Sequence, residues 1–141
     1  MKRHPALAPL SRDHHHALVV ARTLCRATPE NAPEAADAFL SFWRADGQAH
    51  FRVEEETLLP AFAAHGDPRH PAVIQTLVDH LVIRRDALEA AELPRAERLQ
   101  ELGVRLAAHV RLEERELFPL VEQVLPEREL LALGRRLAAL A

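Results

Sequence analysis

The chain has 141 residues, with 48% apolar and 28% charged residues and a formal net charge of -3. That size fits one domain over residues 1–141, and the composition excludes a disordered chain. Mild acidity argues against a nucleic-acid partner, and four glycines, 4% aromatics and no tyrosine argue against a β fold.

Ala, Leu, Glu and Arg predominate, and all are strong helix formers. In chain order, Ser11 can N-cap a first helix over about Arg12–Ala27. Thr28 to Pro33 reads as a loop. A long second helix follows from about Pro33 to His65, with Pro60 placed to kink it late. Gly66 to Pro71 is a turn, and a third helix runs from about Pro71 to Ala91. Leu93-Pro94 breaks the chain, and Pro94 suits the first turn of a fourth helix ending near Leu125. Pro126 opens a short fifth helix to the C-terminus. Short connections favour antiparallel neighbours, so the expected fold is all-α. It is an up-down-up-down four-helix bundle with the short C-terminal helix packed outside.

One cysteine, Cys25, excludes an intrachain disulfide. No stretch suits a signal peptide or a membrane span, so a cytoplasmic setting away from membranes is the default. Nine histidines are the unusual count.

Their positions follow an internal echo. His50-Phe51-Arg52-Val53-Glu54-Glu55-Glu56-Thr57-Leu58-Leu59-Pro60 matches His109-Val110-Arg111-Leu112-Glu113-Glu114-Arg115-Glu116-Leu117-Phe118-Pro119 in the frame His-x-Arg-x-Glu-Glu-x-x-Leu-x-Pro. Asp13-His14 and Asp79-His80 precede the two copies, on helices 1 and 3. His-x-x-x-Glu puts both side chains on one helical face. At ~1.5 Å rise per residue, counting from the loops puts His14, His50, Glu54, His80, His109 and Glu113 at one height. Four imidazoles and two carboxylates there suit iron, manganese or zinc. If Glu54 and Glu113 both bridge, two metals each take two histidines, which gives four protein donors per metal. An oxo or hydroxo bridge adds a fifth and leaves a position for a small ligand.

This pattern resembles the hemerythrin-like (HHE cation-binding) family across nearly the whole chain. The resemblance implies a four-helix bundle with a non-haem, carboxylate-bridged diiron centre. It carries ligand roles to His14, His50, Glu54, His80, His109 and Glu113, with zinc or manganese as substitutes for iron. Oxygen-carrying relatives have a fifth histidine one turn from the histidine of helix 3. Here those neighbours are Thr76 and Arg84. The set is more similar to that of diiron proteins linked to nitric oxide and iron–sulfur repair.

The expected function is binding of a small diatomic ligand, O2 or NO, with no catalytic residues assigned. The alternatives are a diiron oxidoreductase or repair protein fed by a redox partner, and a metal that mainly holds the fold. Around the site, His15 reads as a polar neighbour and His16 as a surface residue. His4, His65 and His70 read as solvated. Glu55 and Glu114 point about 100° from the ligands and read as surface groups or supports behind them. Asp13 and Asp79 read as caps or as acceptors of a histidine N–H. Trp43 reads as core packing or pocket lining. Gly47 and Ala17 allow either close packing or free space near the metals. Cys25 reads as buried packing.

Overall fold

The structure, a computed structural model, describes residues 2–140. A 3₁₀ turn at Pro5–Leu7 leads into α1, Ala8–Cys25. Helix α2 is one helical run over residues 32–63, α3 is Pro71–Glu92, α4 covers residues 96–124, and α5 is Glu127–Leu140. No strand occurs among the described residues. The last residue of the expected C-terminal helix, Ala141, lies outside them. No described helix is long and apolar enough to cross a membrane. Packing forms a ring in which α1 touches α2 and α4, while α3 touches the same two helices.

The start of α1 corrects the sequence reading. Ser11 lies inside the helix, and its hydroxyl donates to Glu114 Oε2 at 2.7 Å. Pro9 occupies the first turn, where a missing N–H costs nothing, so helix begins earlier than Ser11. His4 supplies the preceding cap, with Nδ1 accepting the Ala6 N–H at 3.0 Å. His70 does the same for α3, accepting the Ala72 N–H at 3.1 Å. Neither is a merely solvated histidine. The two caps are one His-Pro-Ala device, placed at the same spacing before His14 and His80. The internal echo therefore extends beyond the His-x-x-x-Glu stretches.

Pro60 and Pro119 sit inside helices that continue through them. A proline ring crowds the carbonyl one turn back and offers no N–H. Each helix meets this with a wide π-type turn just before the proline. Leu59 N–H bonds to the Glu54 carbonyl, and Phe118 N–H to the Glu113 carbonyl. Both wide turns begin at a metal-candidate glutamate, the kind of place where π-bulges concentrate. A third, Trp43–Gly47, precedes His50 by one turn.

The core divides into two apolar clusters. One is built around Leu24, Phe39, Ile83 and Leu102. The other is built around Leu7, Leu58, Phe62 and Phe118. Leu130, Leu133 and Leu137 of α5 belong to the second cluster, so α5 packs against the bundle at that end. Helices α1 and α4 approach closely at Gly103. A Cβ there would stand 2.7 Å from the Ala21 carbonyl oxygen and 2.9 Å from the Cys25 nitrogen, so only glycine fits.

Cys25 is exposed, against the expectation of a buried packing residue. The buried stripe of α1 runs Leu10, His14, Ala17, Ala21 and Leu24, steps of three and four. That period of about 3.5 drifts away from the eleven-residue step that reaches Cys25. Leu24 fills the core position.

Candidate metal centre

All six expected residues meet in the layer between the two cores, and all six are buried. They form two donor groups. His14, His50, Glu54 and Glu113 make one, and Glu54, His80, His109 and Glu113 make the other; the donor atoms within each lie inside 4.8 Å of one another. The glutamates belong to both.

Their two oxygens are divided between the groups. Glu54 Oε2 lies 3.0 Å from His50 Nε2, and Oε1 lies 3.1 Å from His80 Nε2. Glu113 Oε1 lies 2.9 Å from His14 Nε2, and Oε2 lies 3.1 Å from His109 Nε2. Only the His14 Nε2 and Glu113 Oε1 pair is a hydrogen bond. Both Glu54 oxygens, Glu113 Oε2 and the Nε2 atoms of His50, His80 and His109 are buried with no hydrogen-bond partner. Each orphaned group of this kind costs about 1–3 kcal/mol. Imidazole nitrogens and carboxylate oxygens turned on a common centre, six of them without a hydrogen-bond partner, fit a cation. The donor set therefore suits the metal that the sequence pattern implies.

The opposite ring nitrogen of every histidine meets a carboxylate. The Nδ1 distances are 2.6 Å for His14 to Glu114, 3.1 Å for His50 to Asp13, 2.6 Å for His80 to Glu55 and 3.0 Å for His109 to Asp79. With the proton on Nδ1, donated to the carboxylate, each Nε2 presents a lone pair inward. The carboxylates are anchored in turn. Arg84 grips Glu55 with both guanidinium nitrogens, at 2.6 and 3.1 Å. Arg3 reaches Glu114 Oε1 at 3.3 Å and its carbonyl at 2.6 Å. Gln75 donates to Asp79 at 2.7 Å. Aromatic rings fix two of the imidazoles: Phe51 stacks on His80 with centroids 3.8 Å apart, and Phe118 on His14 at 5.5 Å.

Asp13, Asp79, Glu55 and Glu114 thus act as supports, as acceptors of histidine N–H. The sequence signal was the Asp-His and Glu-Glu doublets. It did not reveal which histidine each carboxylate serves, because the partner lies on another helix. His15 and His16 are exposed; His16 faces Asp46 at 3.4 Å and the Phe42 ring. His65 is exposed. Thr76 is fully buried, but its hydroxyl donates to the Ala72 carbonyl at 2.8 Å. Arg84 is committed to Glu55. Helix α3 therefore offers the centre a single histidine.

The electrostatics of the metal-free site follow from this crowding. Burial pulls the His109 pKa down, but the Glu113 charge, the bond to Asp79 and the Glu54 charge override it and lift it to about 10. Burial also opposes protonation of His50, yet Glu54 and Asp13 raise it well above the ordinary value. His14 is raised against burial by its bonds to Glu113 and Glu114, and His80 by the Glu113 and Glu54 carboxylates that face it. Burial pushes Glu113 up, and the His109 charge with the histidine bonds outweighs it, leaving Glu113 well below the ordinary value.

A cavity of about 20 Å³ adjoins His50 and His109, walled by Ala17, Trp43, Gly47, Phe51, Leu106 and Val110, with half-exposed Asp13 and Asp46 also lining it. This is just enough for one water-sized molecule. Trp43 is both core packing and cavity wall. Ala17 and Gly47 both contribute to the space beside the centre. A Cβ on Gly47 would stand 2.6 Å from Trp43 Cε3.

No curated protein and no solved structure matches the chain significantly. The model of the hemerythrin HHE cation-binding domain matches residues 6–121. That span contains all six convergent residues and the four carboxylates behind them, and the family binds metal cations. The chain belongs to the hemerythrin HHE cation-binding domain family.

Proposed function

We propose that the chain is a non-haem diiron protein that binds a small diatomic ligand, O2 or NO. His14 and His50 hold one iron, His80 and His109 the other, and Glu54 and Glu113 bridge them. The observation that carries this reading is the division of the two glutamates, each turning one oxygen to each histidine pair. Zinc or manganese can occupy the same donors. When bound, the iron pair supplies inner-sphere binding and one-electron chemistry toward the small molecule.

The chain's own residues do the rest. Two histidines and two carboxylate oxygens give each ion four protein donors, which leaves room for an exogenous ligand. The four outer carboxylates keep Nδ1 protonated and Nε2 free. The cavity beside His50 and His109 admits a molecule of diatomic size and is walled mainly by apolar side chains, which keep bulk water out. We read residues 1–141 as one domain, an up-down-up-down four-helix bundle with α5 across one end. We place it in the cytoplasm, with no nucleic-acid or membrane partner.

A second reading is favoured by the single histidine on α3. Thr76 and Arg84 are both committed elsewhere, so each metal position keeps two histidines and neither is closed by a third. Two open positions suit a diiron oxidoreductase or an NO- or peroxide-handling repair protein supplied by an external redox partner. Stopped-flow spectroscopy of reduced, iron-loaded protein decides between them. Up to two equivalents of NO per chain are expected. After mixing with O2 and stripping with argon, return of the diferrous spectrum assigns carriage, and conversion to the diferric form together with turnover of NO or peroxide under excess reductant assigns redox work. Failure to bind either gas overturns the diatomic reading.

A further inference from the structure

The face of α3 that points away from the bundle is apolar over most of its length. Ile74, Leu77, Val78, Leu81 and Leu88 are 49%, 44%, 48%, 69% and 72% exposed. Arg85 is the one charged residue at the exposed positions from Pro71 to Ala91. The spacing is specific. Ile74, Leu77, Leu81, Arg84, Leu88 and Ala91 advance in alternate steps of three and four, a period of about 3.5. The inward stripe of the same helix, Val73, Thr76, His80, Ile83, Ala87 and Ala90, has the same period. Helix α3 therefore carries two seams, one used by the bundle and one left over. A 3.5-residue seam is built to receive another helix. A membrane-lying face is marked instead by a basic polar flank, and the chain's net charge is -3.

We infer that the outer seam of α3 pairs with α3 of a second copy of this chain, antiparallel, about a two-fold axis at Leu81. Three observations choose this partner and this direction. Leu81 lies midway between Ile74 and Leu88, so a two-fold axis there sets Ile74 of each copy against Leu88 of the other. The ends of the seam carry opposite charge: Arg69 precedes α3, while Glu92 closes it beside Glu89, which is already held by Arg98. Antiparallel pairing brings Arg69 beside Glu92 of the other copy; parallel pairing confronts like with like. The shape also differs end to end. Trp43 and Leu40 of α2 form with Ala87, Leu88 and Ala91 a groove of about 310 Å³ beside the C-terminal half, with Arg44, Gln48 and Arg84 also lining it. The N-terminal half presents Ile74, Leu77 and Val78 as projecting side chains, which an antiparallel partner sets along that groove.

The expected affinity is modest. A helix of 22 residues is roughly 33 Å long. A seam of that length buries on the order of 400–600 Å² per copy, the lower end of specific interfaces. Association in the micromolar range follows.

Light scattering on metal-loaded protein at about 200 µM should give a mass near twice 15.8 kDa. Leu81→Lys, at an exposed position, should restore the monomer mass with unchanged helicity and metal content. In a Cys25→Ser background, Leu81→Cys should form an intermolecular disulfide on mild oxidation. Ile74→Cys should do so only when mixed with Leu88→Cys. A monomer at that concentration, a dimer untouched by Leu81→Lys, or efficient self-crosslinking of Ile74→Cys overturns the proposal. A monomer that binds phosphatidylcholine vesicles also overturns it and assigns the face to a lipid surface.

Discussion

Glu114 of α4 accepts the Nδ1 proton of His14 on α1 at 2.6 Å, and this contact closes a ring. Asp13 of α1 serves His50 on α2, Glu55 of α2 serves His80 on α3, and Asp79 of α3 serves His109 on α4. Every helix thus gives one histidine to the centre and one carboxylate to the histidine of the next. The carboxylate beside a ligand in sequence never supports that ligand. A helical step of about 100° turns it toward the neighbouring helix. Misplacing one helix therefore disturbs two histidines.

Metal content should separate neighbouring residues sharply. Wild-type protein made in iron-replete cells should approach two metals per chain by elemental analysis. His14→Ala should lose at least one, while the exposed His15→Ala and His16→Ala keep both. Glu113→Ala should lose both, because its oxygens face both histidine pairs. Full metal content in His14→Ala would remove it from the centre.

Stripping the metal should soften the fold. Six buried atoms of the centre have no hydrogen-bond partner without a cation. At a free metal concentration a hundredfold above Kd, binding adds about 2.7 kcal/mol. In a domain of this size that is on the order of 10 °C in Tm. Calorimetry of stripped and reloaded protein checks this, and equal melting temperatures contradict the assignment.

The metal-free protein should show a definite pH dependence. His109 titrates at about 10 when folded and near 6.5 when unfolded. Its contribution is fully present below about 6.5 and is lost as pH rises through about 10. Glu113 is depressed when folded, so its contribution is present above about 4.5 and fades as pH falls. Stability of the stripped protein should therefore be greatest between about 4.5 and 6.5 and decline toward 10. The loaded protein should lack that alkaline decline. Loading at pH 7 should release more than one proton per chain into weakly buffered solution, because raised histidines must deprotonate to bind.

The outer carboxylates should tune affinity without supplying donors. Glu55→Gln and Glu114→Gln leave the six convergent residues in place but loosen the hold on His80 and His14. Metal affinity should fall by roughly 10- to 100-fold. Glu56→Gln and Glu116→Gln, on exposed positions of the same two turns, should change nothing. Competition against a chelator measures the difference; equal affinities across all four variants would show the ring to be ornamental.

Much of the molecule is legible in the chain alone. Helix formers, sparse glycine and placed prolines determine an all-helical fold. The repeated His-x-x-x-Glu frame, with the Asp-His doublet before each copy, determines the six convergent residues, because helical spacing and rise fix face and height before any packing occurs. What lies between helices was decided by tertiary structure. The pairing of each doublet carboxylate with a histidine one helix away depends on relative rotation, which no local period encodes. The wide turns at Glu54 and Glu113 answer prolines several residues downstream within a packed helix. Cys25 is exposed because the buried stripe of α1 repeats about every 3.5 residues from Leu10 and so ends on Leu24. The cavity beside His50 and His109 exists because Trp43 leans over Gly47 while Ala17 stops short, a matter of side-chain volume meeting across three helices.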